Sequence, residues 1–168
     1  VLINVISSLS NSGLTLSNSS ENMTLLFLIL CIVGGSIISN SSGIKLIRLY
    51  ILLKTASSEI LKLVRPNNVF NNKIFFSEKK IDIQIVNLSF LIFISFFISI
   101  FILSTVLVLD NINFENSFKL SILTLTNTTN SSLFGLENIN FGNFYTNTKL
   151  FLIIFMIIGK IELISLFI

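Results

Sequence analysis

The chain of 168 residues contains no histidine and no tryptophan, and it has one cysteine, one proline and eight acidic residues. The absence of histidine removes the side chain most often used as a general base or metal ligand near neutral pH. A single cysteine, Cys31, excludes a disulfide framework within the chain and a thiolate cluster for zinc. Its position in an apolar run reads as a buried thiol. Asp110 and Glu162 lie in separate regions, so no set of nucleophile, acid and metal ligand converges as an enzyme would require. Charge is scarce too. Only 11% of residues are charged, against about 25% in an ordinary soluble domain.

What the chain has instead is apolar bulk: 52% of residues are hydrophobic and the mean hydropathy is +0.90. These values define an all-α integral membrane protein, because a bilayer span needs about 20 apolar residues. The cleanest span is 85–109, which carries Asn87 and scattered Ser or Thr. Residues 149–168 are long enough but include Lys160 and Glu162. Residues 25–38 reach only about 21 Å at 1.5 Å per residue, and need a continuation through 44–53. Between those pieces lie Gly34, Gly35, Ser36, Ser39, Asn40, Ser41, Ser42 and Gly43, small and polar residues that break a helix. Backbone freed at membrane depth is tolerated only where protein buries it or where it lines a watery cavity. The break is therefore a pathway candidate, with a kink that lets helices pack closely as the alternative. No signal peptide is recognisable at Val1, since the opening is rich in Asn and Ser with no charged region before an apolar core.

Charge distribution sets the topology. Of eleven Lys and Arg residues, eight fall between positions 45 and 80, and basic residues of short loops stay on the cytoplasmic side. Membrane lipid thus surrounds the spans, residues 54–82 are cytoplasmic, and 1–24 and 110–148 are outside. The spans account for the basic run, so nucleic acid is not read as a partner. Pro66 stops the helix entering the cytoplasm.

The two outside segments repeat. Residues 7–15 align without gaps on 126–134, an offset of 119 that places Asn11, Ser12, Gly13 and Leu14 on Asn130, Ser131, Ser132 and Leu133. Each copy precedes an apolar span, in the order re-entrant helix, polar loop, descending helix. A cation filter replaces the hydration shell with backbone carbonyls. Glycine supplies the dihedrals such a loop needs, and the C-terminal end of a pore helix adds partial negative charge. Gly13 fits the glycine position, and Ser132 takes it in the second copy.

Gly34-Gly35-Ser36 with Gly43-Ile44-Lys45, Phe141-Gly142-Asn143-Phe144, and Gly159-Lys160-Ile161-Glu162 together resemble the Trk/Ktr/HKT superfamily of potassium transporters, in its TrkH-like branch. The resemblance implies repeats of membrane helix, pore loop and membrane helix around one pathway. Residues 1–53 would be the pore helix, filter and broken second helix of the third repeat, 54–83 the cytoplasmic connector, and 84–168 the fourth repeat. Residues 34–43 would then be a gate beneath the filter, and Lys160 the basic side chain that contacts it and repels cations from a closed pore. Lys160 lies about 16 Å along its span from Lys149, where a cation is costly; snorkelling to the interface is the alternative. Glu162 lies on another helix face and cannot pair with it.

Further implications of the resemblance are potassium as the cargo, the remaining repeats of the same transporter, a homodimer in the bacterial inner membrane, and a cytosolic TrkA-like ring of nucleotide-binding regulatory subunits. Ser132 in a glycine position, followed by Leu133-Phe134, implies admission of sodium as well. With two of four filter segments, the chain is expected to be the C-terminal part of a longer gene product. A small non-conducting membrane scaffold or assembly subunit is the alternative from another class.

The topology is directly testable. In a Cys31→Ser background, Asn138→Cys is expected to react with a membrane-impermeant maleimide applied to intact cells, and Asn72→Cys only after permeabilisation. Labelling of Asn72→Cys from outside would overturn the assignment.

Overall fold

A computed structural model of the protein describes residues 2–12, 23–35, 41–65, 82–128, 136 and 141–160. These form six α-helices: α1 (Leu2–Ser10), α2 (Thr24–Ile32), α3 (Leu46–Val64), α4 (Ile83–Leu109), α5 (Phe114–Leu125) and α6 (Thr146–Lys160). Two short parallel strands, β1 (Val33–Gly34) and β2 (Ile44–Lys45), pair in the register Val33 with Ile44 and Gly34 with Lys45.

The frame is α4, the one described helix long and apolar enough to cross a membrane. Its 27 residues reach about 40 Å. Ser89, Ile92, Phe96, Ser99, Ile100, Leu103, Ser104 and Leu107 form its buried stripe, at the three- and four-residue spacing of one helix face. The opposite face is just as apolar, with Phe101 60% and Leu91 56% exposed. Apolar residues on every side are the signature of a helix solvated by lipid or by other membrane helices rather than by water.

α5 is the element most enclosed. It packs against α4, α6 and α2, and every residue from Leu120 to Thr126 is buried. Its Leu120, Ile122, Leu123 and Leu125 join Phe27, Leu28 and Cys31 of α2, Ile44 of β2, Phe96, Ile100, Leu103 and Leu107 of α4, and Leu152 of α6 in one core. A 12-residue helix spans about 18 Å, too short to cross a bilayer. Enclosure on all sides is how a re-entrant segment is accommodated.

The second expected span is interrupted as its composition implies. α2 ends at Ile32 and α3 begins at Leu46, so the break covers positions 33–45. α3 then runs through position 53 without interruption and ends at Val64, which carries helix well into the basic segment. Arg65 leaves the helical region (φ −136°, ψ 78°), which a following proline disfavours. α4 begins two positions earlier than the apolar run suggests and ends at Leu109, as the run does. α6 starts at Thr146. The expected continuation of this span beyond Lys160, with Glu162, lies outside the described residues.

Candidate functional site

The break between α2 and α3 is built on close backbone approach. At Gly34, an added Cβ would lie 2.6 Å from the Ser42 carbonyl oxygen. At Gly43 it would lie 2.8 Å from the Ile32 carbonyl oxygen and 3.0 Å from that of Cys31, and the backbone there has φ +94°, a region side chains disfavour. Each glycine thus lets one strand of the break sit against the other. The freed polar groups are taken up locally: the Gly35 N–H donates to Ser41 Oγ at 2.8 Å and the Leu46 N–H to the Gly35 carbonyl at 3.4 Å.

Facing this break are the C-terminal ends of α1 and α5, which close with the same motif. Asn11 (φ 51°), one position after α1, and Asn127 (φ 55°), two positions after α5, each adopt the left-handed conformation. The next N–H reaches back five residues, from Ser12 to the Ser7 carbonyl at 3.2 Å and from Thr128 to the Leu123 carbonyl at 2.9 Å. This is the Schellman closure, which satisfies carbonyls that a helix end would leave free. Geometry therefore places Asn11 opposite Asn127, an offset of 116. Ser8-Leu9-Ser10-Asn11-Ser12 matches Thr124-Leu125-Thr126-Asn127-Thr128, hydroxyl for hydroxyl. Asn130–Leu133, on which the sequence alignment sets residues 11–14, lie outside the described residues; the shared closure offers a second register, which sets Thr129 of the sequence against Gly13.

Both asparagines turn toward Ser42. Asn11 Nδ2 donates to the Ser42 carbonyl at 2.6 Å and to the Cys31 carbonyl at 3.4 Å. Asn127 Nδ2 donates to Ser42 Oγ at 3.1 Å and to the Met156 carbonyl of α6 at 3.0 Å. Around these contacts lies a polar cleft of about 430 Å³, lined by Asn11, Gly35, Ser41, Ser42, Asn127 and Lys160, with Leu9 and Ser10 at its edge. Two helix C-termini and one lysine side chain thus share one space. The helix ends contribute partial negative charge of roughly half an elementary charge each, and Lys160 contributes a positive one.

Of the residues singled out from sequence, Asn11, Gly35, Ser41, Ser42 and Lys160 line this cleft. Gly34 and Gly43 stand behind it, where they permit the close crossing. Ser12 caps α1, and its hydroxyl lies 3.0 Å from that of Ser7. Gly13, Leu14, Ser36, Ser39, Asn40, Asn130, Ser131, Ser132 and Leu133 lie outside the described residues.

Three residues went unassigned from sequence. Asn127 is one; its signal was the hydroxyl-Leu-hydroxyl-Asn-hydroxyl pattern shared with residues 8–12. Thr128 follows it, buried, with Oγ1 2.8 Å from that of Thr126 and 3.9 Å from Cys31 Sγ. The third is Gly159. A Cβ there would overlap the Leu125 carbonyl oxygen and sit 2.8 Å from its carbonyl carbon, so glycine is what lets α6 rest on the end of α5.

A chain whose described residues are mostly helical, with a lipid-type outer surface and an interrupted span lined by helix ends, belongs among helical membrane proteins. The model of the TrkH family, described as cation transport protein, matches residues 2–168, and the chain belongs to this family. No individual curated protein matches it.

The glycine contacts predict a stability pattern. Gly159→Ala is expected to destabilise by about 1–3 kcal/mol, the range for overpacking against a fixed backbone. Gly43→Ala is expected to cost about 1 kcal/mol or more from its positive φ. Exposed Ser57→Ala on α3 is expected to stay within about 0.5 kcal/mol. Thermal unfolding in detergent checks all three; equal midpoints would show that the backbone crossings relax freely.

Proposed function

We propose that the protein carries monovalent cations inward across the membrane, potassium foremost, as part of a TrkH-like translocating subunit with a filter above and a gate at the broken span. Membership of a cation transport family gives the broad function. The observation that supports the finer reading is the convergence of two helix C-termini, the broken span and Lys160 on one polar cleft. Helix C-termini favour cations, and a cleft enclosed by apolar helices screens that field less than water would.

On this reading the third-repeat filter is residues 11–14 and the fourth-repeat filter is residues 130–133, or residues 127–130 where the shared helix closure sets the register, with backbone carbonyls replacing the hydration shell. Residues 34–43 form the gate, and Lys160 guards it. The remaining repeats of the transporter complete the ring, and the homodimer and the TrkA-like nucleotide-binding partner are part of the same proposal.

Cation uptake by the full-length gene product in a potassium-uptake-deficient strain tests it. Deletion of residues 39–42 is expected to raise uptake several-fold without loss of membrane insertion, and Lys160→Ala to raise it in the same direction. Unchanged uptake in both, at equal protein levels, would return the break to a packing kink. Absence of cation uptake by the unmodified protein in every condition would favour a scaffold.

The register that pairs Asn11 with Asn127 makes a separate prediction for the filter. Gly13→Ser is expected to lower the potassium-to-sodium uptake ratio, and Thr129→Gly to raise it, a tenfold change corresponding to about 1.4 kcal/mol of relative site preference. If Ser132→Gly raises the ratio and Thr129→Gly does not, the register is wrong.

A further inference from the structure

Both helix ends that face the break reach one residue of it, Ser42. Asn127 donates to the Ser42 hydroxyl at 3.1 Å and Asn11 to the Ser42 carbonyl at 2.6 Å. These donors come from helices 116 positions apart, and each is the residue directly before its filter loop continues. Ser42 is buried, 5% exposed, so water is a poor substitute for either donor. Gly34 fixes the carbonyl from behind, since no side chain intervenes between its Cα and the Ser42 oxygen. The left-handed backbone at both asparagines, locked by the five-residue back-bond, leaves each amide little freedom to point elsewhere.

We propose that Ser42 is a positioning residue that couples the two filter ends to the gate loop, its hydroxyl answering to Asn127 and its carbonyl to Asn11. The inference rests on the reading of residues 34–43 as a gate and adds to it a mechanical link. Movement of either helix end releases one bond to Ser42 and biases the break at that residue. The two bonds act through different atoms of one residue, so they are separable by mutation. Ser42→Ala removes the acceptor of Asn127 alone, because the carbonyl that serves Asn11 remains.

The test is a double-mutant cycle on rubidium uptake by the full-length gene product. Asparagine is replaced by glycine, which keeps the left-handed backbone without strain. Ser42→Ala and Asn127→Gly are each expected to change basal uptake by about fivefold, the effect of one net hydrogen bond on a two-state equilibrium. The double variant is expected to match Asn127→Gly, which also gives up the bond to the Met156 carbonyl, and Ser42→Thr, which keeps a hydroxyl, to restore uptake toward the starting level. Asn11→Gly is expected to combine multiplicatively with Ser42→Ala.

Multiplicative effects of Ser42→Ala and Asn127→Gly would overturn the link. So would unchanged uptake in both singles while deletion of residues 39–42 still raises it, an outcome that leaves the gate reading in place. If the deletion also leaves uptake unchanged, the gate reading fails and the link falls with it. Thermal midpoints measured alongside separate a loss of folded protein from a change of gate position, and failure of Ser42→Thr to restore uptake at a normal midpoint would assign Ser42 a purely structural role.

Discussion

A helix interrupted inside an apolar bundle frees N–H and C=O groups that need new partners, and the region between α2 and α3 is organised by that constraint. Every described element around it supplies part of the answer. β1 and β2 pair with each other, Ser41 accepts from Gly35, and Asn11 donates to the carbonyls of both Cys31 and Ser42. Gly34 and Gly43 follow from the same requirement. Two backbones that must satisfy one another at these distances leave no room for a Cβ. Their role is steric, and it fixes the break in place where mere flexibility would leave it loose.

The many hydroxyl side chains in the interior follow a different rule. Ser89, Ser99, Ser121, Thr124 and Thr126 each donate to a carbonyl three or four residues earlier in their own helix, so they are satisfied without outside help. A buried serine or threonine on these helices therefore carries little information about a pathway. Asparagine differs, because its amide has two donors and reaches beyond its own turn. Asn11 and Asn127 spend both donors on neighbouring segments. That contrast explains why the site assembles around the asparagines, although hydroxyl residues outnumber them.

Much of the frame was legible in the sequence. The apolar run that became α4, the stop before Pro66 and the polar interruption of the second span all arise from local chemistry, in which composition and proline geometry decide the outcome. The repeat of residues 7–15 in 126–134 falls in part outside the described residues, and the described helix closure pairs Asn11 with Asn127. Asn-Ser dipeptides also occur at Asn18-Ser19, Asn40-Ser41 and Asn116-Ser117, so identity at Asn130-Ser131 was a weak guide. The physical equivalence lies in backbone conformation and helix closure, which Asn127 shares with Asn11 while its neighbours share only hydroxyl groups. Gly159 was hidden for a related reason. Its contact is with the backbone of Leu125, 34 positions earlier, and nothing local in an apolar helix announces that a distant carbonyl will press against it.

The choice of asparagine at the two helix ends carries the last consequence. Glycine would close a Schellman turn with less backbone cost, and at Asn111 (φ 61°), which follows α4, asparagine takes the same conformation outside the cleft. At positions 11 and 127 the side chain does additional work by tying each helix end to the break, and that fixes where the two helix C-termini point. Their combined field amounts to roughly one negative elementary charge, while Lys160 at the same cleft supplies one positive charge. On the reading of the cleft as a cation path, lysine and cargo therefore compete for the same field. At about 4 Å the repulsion between two unit charges is about 4 kcal/mol at the effective dielectric of a protein surface. That is enough to keep the two from sharing the space, and it makes movement of the Lys160 side chain a condition of passage.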